Sequence, residues 1–486
     1  MTTETGLAPG HRRAVGIALV AAVGGFLFGF DTAVINGAVD ALTDRFALSS
    51  VLSGFAVACA LLGSALGAWF AGSLADRHGR VRVMVVAAVL FAISSIGSGL
   101  AVSVWDLIGW RVLAGIGIGI ASVIAPAYIA EISPAAIRGR LGSLQQLAIV
   151  TGIFVALLSD AFLSNSAGSA ADTLWWGLSA WRWMFLVGVV PAVVYALLAL
   201  GIPESPRFLV GRGRNDEAAA VLARLGAGGA EGVEAKVAAV AESLRRETAP
   251  SLRDLRGSRA GLQPVVWVGI LLSVFQQFVG INVIFYYSTS LWRSVGFSES
   301  DSLTITVITS VTNIVVTLIA IAVVDRIGRK PLLIIGSAGM TLTLGTMAVC
   351  FSQAVGSGDD LALPGAWGTV ALVAANLFVV SFGVSWGPVV WVLLGEMFPN
   401  YIRAAALSVA AAAQWIANFV VSTTFPVLAA TGLTLAYGLY ALFALLSGWF
   451  VIRAVRETKG RELEDMQATT GLPAGSLTPK PDTATA

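Results

Sequence analysis

Seven carboxamide side chains stand inside apolar stretches of the sequence. They are Gln146, Gln276, Gln277, Asn282, Asn313, Gln414 and Asn418. A carboxamide carries donors and an acceptor on one group, which suits hydroxyl groups that also do both. No lone cation or anion accompanies the amides, which disfavours amino acids, phosphates and organic ions as ligands. The set predicts a site for a neutral polyol, although single amides also join membrane helices by hydrogen bonds.

The spacing of these amides constrains the helices that carry them. On an ideal helix, Gln277 and Asn282 point about 140° apart. Both reach one cavity only if the helix bends, and Gly280 between them permits a bend. Gln414 and Asn418 are four residues apart and already share a face.

Tryptophans accompany the amides. Their rings can pack on the C–H face of a sugar and their indole N–H can bond a hydroxyl, although a lipid-facing or core role is an equal alternative for each. The candidates are Trp386, Trp391 and Trp415. The same stretch is interrupted by Gly383, Gly387 and Pro388, as expected for a broken helix that lines a cavity.

One carboxylate and one guanidinium also lie inside apolar stretches. Asp31 interrupts the first stretch, and Arg111 lies near the start of the fourth. An unpaired charge is costly there, so we expect the two to pair. Burial disfavours the ionised carboxyl whereas Arg111 favours it, so the protonation of Asp31 can change as its partner moves. A purely structural ion pair is the alternative.

The composition supports a membrane protein. The chain is 57% hydrophobic and 12% charged, whereas soluble domains are about 25% charged. This excludes a soluble enzyme, a disulfide scaffold and a disordered protein. Two cysteines in apolar runs and two histidines beside basic clusters predict no disulfide framework, metal or cofactor. A net charge of +2 gives no indication of nucleic acid as a partner.

Twelve stretches are long enough to cross a bilayer as helices. The first is too long for a cleaved signal core and is predicted to be a membrane helix. No period-two alternation favours a barrel. The predicted spans are 14–38, 51–74, 82–103, 106–128, 141–163, 183–202, 264–290, 303–324, 331–353, 366–394, 402–427 and 432–453.

The arginines and lysines predict the orientation. Of 30 such residues, Arg45, Arg182 and Arg293 fall in one set of loops and Arg111 within a span, while the remaining 26 fall in the other set of loops, at the span ends that adjoin it, and in the termini. Basic loops stay in the cytoplasm. We therefore expect a multi-pass protein of the cell membrane, held in the lipid bilayer, with both termini cytoplasmic.

Charged motifs occur twice with nearly one offset. The segment 76–80 returns as 325–329, Glu131 and Arg138 return as Glu396 and Arg403, and Glu204 returns as Glu457. The repeat predicts two six-helix halves in the same orientation, as in transporters with parallel repeats. The predicted organisation is a cytoplasmic N-terminus 1–13, halves 14–202 and 264–453, a cytoplasmic helical linker 203–263 and a cytoplasmic tail 454–486.

These repeated motifs have two interpretations. Basic loops can simply hold helix ends on the inner side. Alternatively, Asp76 and Asp325 pair with arginines of the neighbouring loops, or cap helix N-termini, and form a reversible cytoplasmic latch. The predicted gate residues are Asp76, Arg77, Arg80, Glu131, Arg138, Glu204, Asp325, Arg326, Arg329, Glu396, Arg403 and Glu457.

Ordered motifs across the chain resemble the sugar porters of the major facilitator superfamily. The resemblance is nearest to the bacterial proton-coupled sugar symporters and extends to the animal glucose facilitators. Ile321 and Arg456 depart from the usual residues, away from the presumed cavity. The motifs are Gly29-Phe30-Asp31-Thr32, Asp76-Arg77-His78-Gly79-Arg80, Pro203-Glu204-Ser205-Pro206-Arg207, Gln276-Gln277-Phe278-Val279-Gly280-Ile281-Asn282 and Glu457-Thr458-Lys459-Gly460.

The resemblance implies a proton-coupled importer of a neutral monosaccharide that works by alternating access. It places sugar contacts on the amides other than Asn418 and on Trp391 and Trp415, with Tyr286 and Trp386 as additions. Ile153 and Phe285 match glucose-type members, where xylose-type members carry Gln and Leu. Glucose or another hexose is therefore favoured, with xylose second. Asp31 matches proton-coupled members, whereas the passive facilitators carry Asn; an uncoupled uniporter remains the alternative.

Other classes fit less well. A membrane enzyme needs a nucleophile–base pair or a metal cluster, and the spans offer neither. A sugar receptor usually has a long signalling tail, and a drug exporter favours an apolar cavity with a lone acid. We expect a transporter that acts as a monomer.

Overall fold

The computed structural model describes residues 9–133, 138–226, 230–246, 255–257, 261–355, 362–399 and 402–458. The described residues form eighteen helices and only isolated β-bridges. The structure does not describe the side chains of three predicted gate residues, Arg138, Asp325 and Arg403. Lys459 and Gly460 of the last motif also lie outside the described residues.

The helices make twelve candidate membrane spans, as predicted. The first six spans, here the N-terminal half, are α1 (Pro9–Phe46), α2 (Ser50–His78), α3 (Arg80–Leu100), α4 (Val104–Ile132), α5 (Arg138–Ala167) and the pair α6 (Ala180–Val187) and α7 (Val189–Leu200). The last six, the C-terminal half, are the pair α11 (Pro264–Phe278) and α12 (Ile281–Arg293), α13 (Glu299–Ile327), α14 (Arg329–Ser352), the pair α15 (Trp367–Val384) and α16 (Trp386–Met397), α17 (Arg403–Thr431) and α18 (Leu433–Ala454).

Several helices extend beyond the predicted spans. The first span was predicted to end at residue 38, but α1 continues to Phe46. Asp31 is therefore fifteen residues, or about 22 Å, from the end of its helix. Serines at the starts of α2, α4 and α13 accept hydrogen bonds from backbone N–H groups, which fixes where these helices begin.

Three spans are broken, and the sequence predicts two of the breaks. Span seven stops at Phe278 and restarts at Ile281, because Gly280 adopts φ +82°, a conformation that favours glycine. Span ten breaks at Ser385, between the predicted interruptions. Span six breaks at Gly188, which was not predicted.

Between the halves lie three short helices, α8 (Pro206–Gly211), α9 (Asn215–Arg224) and α10 (Ala230–Arg246). Helix α9 has two acidic residues in its first turn, Asp216 and Glu217, and a hydrogen bond from Arg214 lowers the pKa of the Glu217 carboxyl. Helix α8 is anchored to the N-terminal half, since Arg212 donates to the carbonyl of Arg77 over 2.5 Å.

The two ends of the bundle are defined by the chain itself. We call the end where α1 begins and α18 ends the terminal face, and the other end the opposite face. Even-numbered spans run back towards the terminal face, so the turns α2–α3 and α13–α14 lie there. Gly79 and Gly328 make these turns with φ of +94° and +104°, which shows the same geometry in both halves.

Candidate substrate and proton-coupling site

The amides of span seven meet at its break. Asn282 Nδ2 donates to Gln277 Oε1 over 2.5 Å. This confirms the predicted bend, because a continuous helix would turn the two side chains apart. Gln276 has a different partner: its Nε2 donates to the carbonyls of Trp386 and Gly387 at 2.8 and 3.2 Å. It thus joins span seven to the first turn of α16, directly after the break in span ten.

Three further amides border the same region. Asn313 is half-buried on α13, and its Oδ1 lies close to Gly383, beside the span-ten break. Asn418 is buried on α17 and interacts with the hydroxyl of Tyr286. Gln414, one turn earlier, has a buried Oε1 with no hydrogen-bond partner among the described residues. This acceptor is thus unsatisfied, and protein covers it in this conformation.

None of the seven amides is exposed to the surroundings of the bundle. Gln276, Gln277 and Asn418 are buried, whereas Gln146, Asn282, Asn313 and Gln414 are half-buried. Polar side chains that point between helices, some of them only half covered by protein, are typical of a ligand site.

The predicted aromatic residues separate into two groups. Trp415 is half-buried and its ring lies 5.7 Å from that of Phe28 on α1, across the two halves. Trp391 is 44% exposed. Both rings thus keep surface that the protein does not cover.

Trp386 corrects the prediction for the third tryptophan. It is fully buried, and its Nε1 donates to Ser337 Oγ and to the carbonyl of Leu333 at 2.9 and 3.1 Å. In this conformation neither its ring nor its N–H is available to a sugar, because the break in span ten turns the side chain towards α14. Its carbonyl is the part that contacts the amides.

The two residues predicted to select the sugar are apolar wall residues. Ile153 and Phe285 are 6% and 4% exposed. Phe285 follows Ile284 on α12, and its carbonyl accepts a hydrogen bond from Asn36 of α1 over 2.9 Å. The residue therefore lies where the two halves meet.

Asp31 and Arg111 form the predicted ion pair. Arg111 Nη1 lies 3.0 Å from Asp31 Oδ1, and their side chains are 2% and 8% exposed, respectively. The guanidinium also lies over the ring of Phe185, and its Nε has no hydrogen-bond partner among the described residues. The next residue on α1, Thr32, interacts with Tyr286. A chain of contacts thus runs from the ion pair through Tyr286 to Asn418.

The predicted gate motifs form one charge cluster in each half at the terminal face. In the N-terminal half, Arg80 contacts Glu131 at 3.1 Å and Asp76 at 3.0 Å. The carboxylate of Glu204 accepts from the backbone N–H groups of Arg80 and Val81, which caps α3. Ser205 donates to Glu131.

The C-terminal half repeats this cluster. Arg329 donates two hydrogen bonds to Glu396, at 2.8 and 3.1 Å. Glu457 accepts from the backbone N–H groups of Arg329 and Lys330 at 3.0 and 2.9 Å and caps α14. Thr458 donates to Glu396 over 2.5 Å, as Ser205 does to Glu131.

These contacts bear on only part of the predicted latch, because the side chains of Arg138, Asp325 and Arg403 lie outside the described residues. Asp76 at the end of α2 pairs with Arg80 at the start of α3, and its side chain is 73% exposed. Helix capping, the other prediction for the aspartates, is carried out by Glu204 and Glu457. Arg77 and Arg326 are exposed. The clusters observed here fasten helices within one half.

The halves themselves join at the opposite face. Asn36 bridges the carbonyl of Phe285 and the N–H of Thr289. Asp40 accepts from Ser290 and Arg293 at 2.6 and 2.7 Å.

Helices α5 and α13 add a second contact. Glu299 accepts from Ser164 Oγ and from the N–H of Ala170 at 2.6 and 2.8 Å. Together with the bonds of Asn36 and Asp40, these contacts define the opposite-face seam, which is closed. The predicted site does not include Asn36 or the buried Asp160 of α5, although both are polar residues inside predicted spans, which is the signal that marks them.

A family model described as "Sugar (and other) transporter" matches residues 17–469. The chain belongs to this sugar transporter family. It is thus a membrane transporter and not an enzyme.

Curated relatives of this transporter carry sugar-transport names. A glucose transport protein of Synechocystis sp. is 60% identical over 92% of this chain and 95% of its own length. The D-xylose-proton symporter of Escherichia coli is 38% identical over 93% and 94%. The arabinose-proton symporter of Bacillus subtilis is 35% identical over 93% and 94%.

Among solved structures, the transporter is similar to the inward open conformation of the xylose transporter XylE from E. coli, with a TM-score of 0.80 at 37% identity, covering 94% of this chain and 99% of that one. The partially occluded inward open conformation gives 0.79. The similarity confirms the expected fold of two parallel six-helix repeats.

Proposed function

We propose that this transporter imports a neutral hexose, glucose first, together with a proton, by alternating access. The halves 14–202 and 264–453 rock about the amide site, and the linker 203–263 and the terminal segments 1–13 and 454–486 lie in the cytoplasm. The excess of basic residues at the terminal face supports this orientation. The closed opposite face is then the outer side, and the structure corresponds to an inward-facing state.

One observation carries the proton coupling. Tyr286 contacts both Asn418, in the amide set, and Thr32, next to Asp31. Movement of α12 on sugar binding is thereby transmitted to the segment of α1 that holds the buried carboxylate. Protonation of Asp31 removes its attraction for Arg111, so sugar binding and proton binding act on the same contacts.

The amide site acts by hydrogen bonding. Gln277 and Asn282 at the break, with the unsatisfied acceptor of Gln414, offer donors and acceptors to ring hydroxyls. The rings of Trp391 and Trp415 take the apolar sugar face. Half-buried Gln146 supplies the contribution of the N-terminal half.

The coupling proposal is tested with Asp31→Asn in sealed vesicles. We expect uphill accumulation of labelled glucose under a pH gradient to be lost, while counterflow exchange persists. Asp44→Asn is the matched control, because it removes an exposed carboxylate from the same helix and should leave accumulation unchanged. Accumulation retained by Asp31→Asn would support the alternative of an uncoupled uniporter.

The substrate is tested with a panel of labelled sugars. The apolar walls of Ile153 and Phe285 and the 60% identity to a glucose transport protein favour a hexose. The pentose symporters among the relatives make xylose the second candidate. Ile153→Gln should shift preference from glucose towards xylose, because an unpaired amide disfavours the hydroxymethyl group. Xylose transported faster than glucose by the unaltered protein would reverse the assignment.

A further inference from the structure

A second carboxyl group is buried in the N-terminal half, away from Asp31. Asp160 lies on α5 and is 0% exposed. Neither of its carboxyl oxygens has a hydrogen-bond partner among the described residues. Its carboxyl packs against Gly37 of α1, where an added Cβ would approach Asp160 Oδ2 to 2.9 Å. An ionised carboxylate without a partner is very unfavourable in such a place, so the group is protonated here.

In the part of the chain that the structure describes, no charge near Asp160 compensates for ionisation. Four helices pack on α5, namely α1, α4, α6 and α13. Among the residues that the structure describes, the backbone of Gly37 is the one group in these helices that acts on the carboxyl. Many charged groups of these helices have described partners elsewhere. Asp31 and Arg111 pair with each other, Asp40 binds Ser290 and Arg293, Glu299 binds Ser164, and Arg182 donates to the carbonyls of Gly99 and Ala101. Glu131 binds Arg80, Asp106 accepts from the N–H of Val102, and Asp301 accepts from Ser298.

Asp160 is covered by the opposite-face seam. Ser164, four residues on and therefore on the same face of α5, donates to Glu299 of the C-terminal half. Asn36, next to Gly37, binds α12. Separation of α12 and α13 from α1 and α5 would remove both covers and admit water to the groove that holds the carboxyl.

We infer that Asp160 is a second proton-binding site of this transporter. The site holds its proton while the opposite-face seam is closed and releases it to the solution at the opposite face when the seam opens. The inference rests on the proposed alternating access. Because the same side loads and empties the site, its proton is not transported with the sugar. Protonation of Asp160 instead favours the closed seam when the pH at the opposite face is low, and the open seam becomes favourable as that pH rises.

The test follows seam opening by distance measurement between spin labels on Val102→Cys and Gln353→Cys. Both positions are exposed at the opposite face, one in each half. The native Cys59 and Cys350, both buried, are replaced by alanine. Asp31→Asn serves as the background, because it removes the other buried carboxyl group of the N-terminal half, whose protonation would add a pH dependence of its own.

In this background the open-to-closed ratio should rise with pH, approaching about tenfold per unit where one proton is linked to opening. Adding Asp160→Asn, which has the same shape but cannot ionise, should remove this slope. The smaller Asp160→Thr should do the same and serves if the asparagine variant does not fold. An unchanged slope in either folded variant, or no slope in the background, would overturn the inference.

Accumulation separates this inference from the proposed function. Asp160→Asn alone should retain proton-driven glucose accumulation, because its proton returns to the side it came from. Loss of accumulation with preserved counterflow would overturn the inference by making Asp160 a coupling residue. Failure of sugar to change the label distance in any variant would instead contradict alternating access itself.

Discussion

Charged and polar residues at the two faces of the bundle have different roles. At the terminal face, Arg80 with Glu131 and Arg329 with Glu396 connect helices of the same half. At the opposite face, Asn36, Asp40 and Glu299 connect one half to the other. The charged contacts within each half are also stronger than the ion pair between the halves. The within-half arginines are buried and capped helix ends surround them, whereas the Arg293–Asp40 pair is 40% and 29% exposed. Rigid halves need strong internal contacts, and a seam that opens needs weak ones.

The largest expected effect is on the within-half clusters. Arg80→Gln removes the nearer guanidinium from Glu131, which is only 14% exposed, and leaves Arg207 at 4.0 Å. Breaking a buried pair costs about 3 kcal/mol in free energy of unfolding. Arg329→Gln should cost less, about 2 kcal/mol, because Glu396 is 30% exposed and better screened by solvent. Thermal unfolding of the purified variants measures both.

The exposed Arg82 supplies the control for this comparison. Arg82→Gln should unfold like the unaltered protein. A variant of Arg80 with normal stability and a shifted spin-label distance would mean that the cluster joins the halves after all.

The next effect concerns close helix packing at the seam. Gly54 of α2 faces the Thr423 carbonyl of α17, where a Cβ would lie at 2.2 Å. Gly54→Val should oppose closure by about 1–3 kcal/mol, which changes the open-to-closed ratio by about 5- to 150-fold. We expect slow counterflow and long distances between the spin labels.

Two glycines of the same helix are matched controls. Gly63→Val meets the Val112 carbonyl of α4 at 2.1 Å, within one half, and should reduce folded yield instead of shifting the seam. Gly72 has nothing within 4 Å, so Gly72→Val should behave normally. Equal folded yields and equal spin-label distances for Gly54→Val and Gly63→Val would contradict the proposed difference between packing at the seam and packing within one half.

The smallest effect is expected for the exposed seam pair. Asp40→Asn or Arg293→Gln should weaken closure by about 0.5 kcal/mol, a two- to threefold change in the open-to-closed ratio, because solvent screens the pair. The effect should shrink at high salt. A double-mutant cycle on the spin-label ratio isolates the pair, and a coupling above about 2 kcal/mol would show that the seam is not weak.

The break in span seven and the break in span six show why some features were predictable. Gly280 lies between Gln277 and Asn282, which reach one cavity only if the helix bends, so the local sequence predicted a bend there. Gly188 has no such neighbours along the chain; an added Cβ there would crowd Ser95 of α3 at 3.0 Å, which is a contact between distant segments. Trp386 is a similar case, since its burial depends on Ser337 of α14.

The sequence by itself determined the twelve spans, the two-fold repeat, the Asp31–Arg111 pair and the amide character of the site. These follow from hydropathy, motif spacing and the cost of an unpaired charge in an apolar span, all of which are encoded locally or in simple pairs. Only the tertiary structure decided which face is closed, that the repeated charges act within each half, and that Asp160 is covered without a partner. Those properties depend on the relative positions of helices far apart in the chain, and no local pattern encodes them.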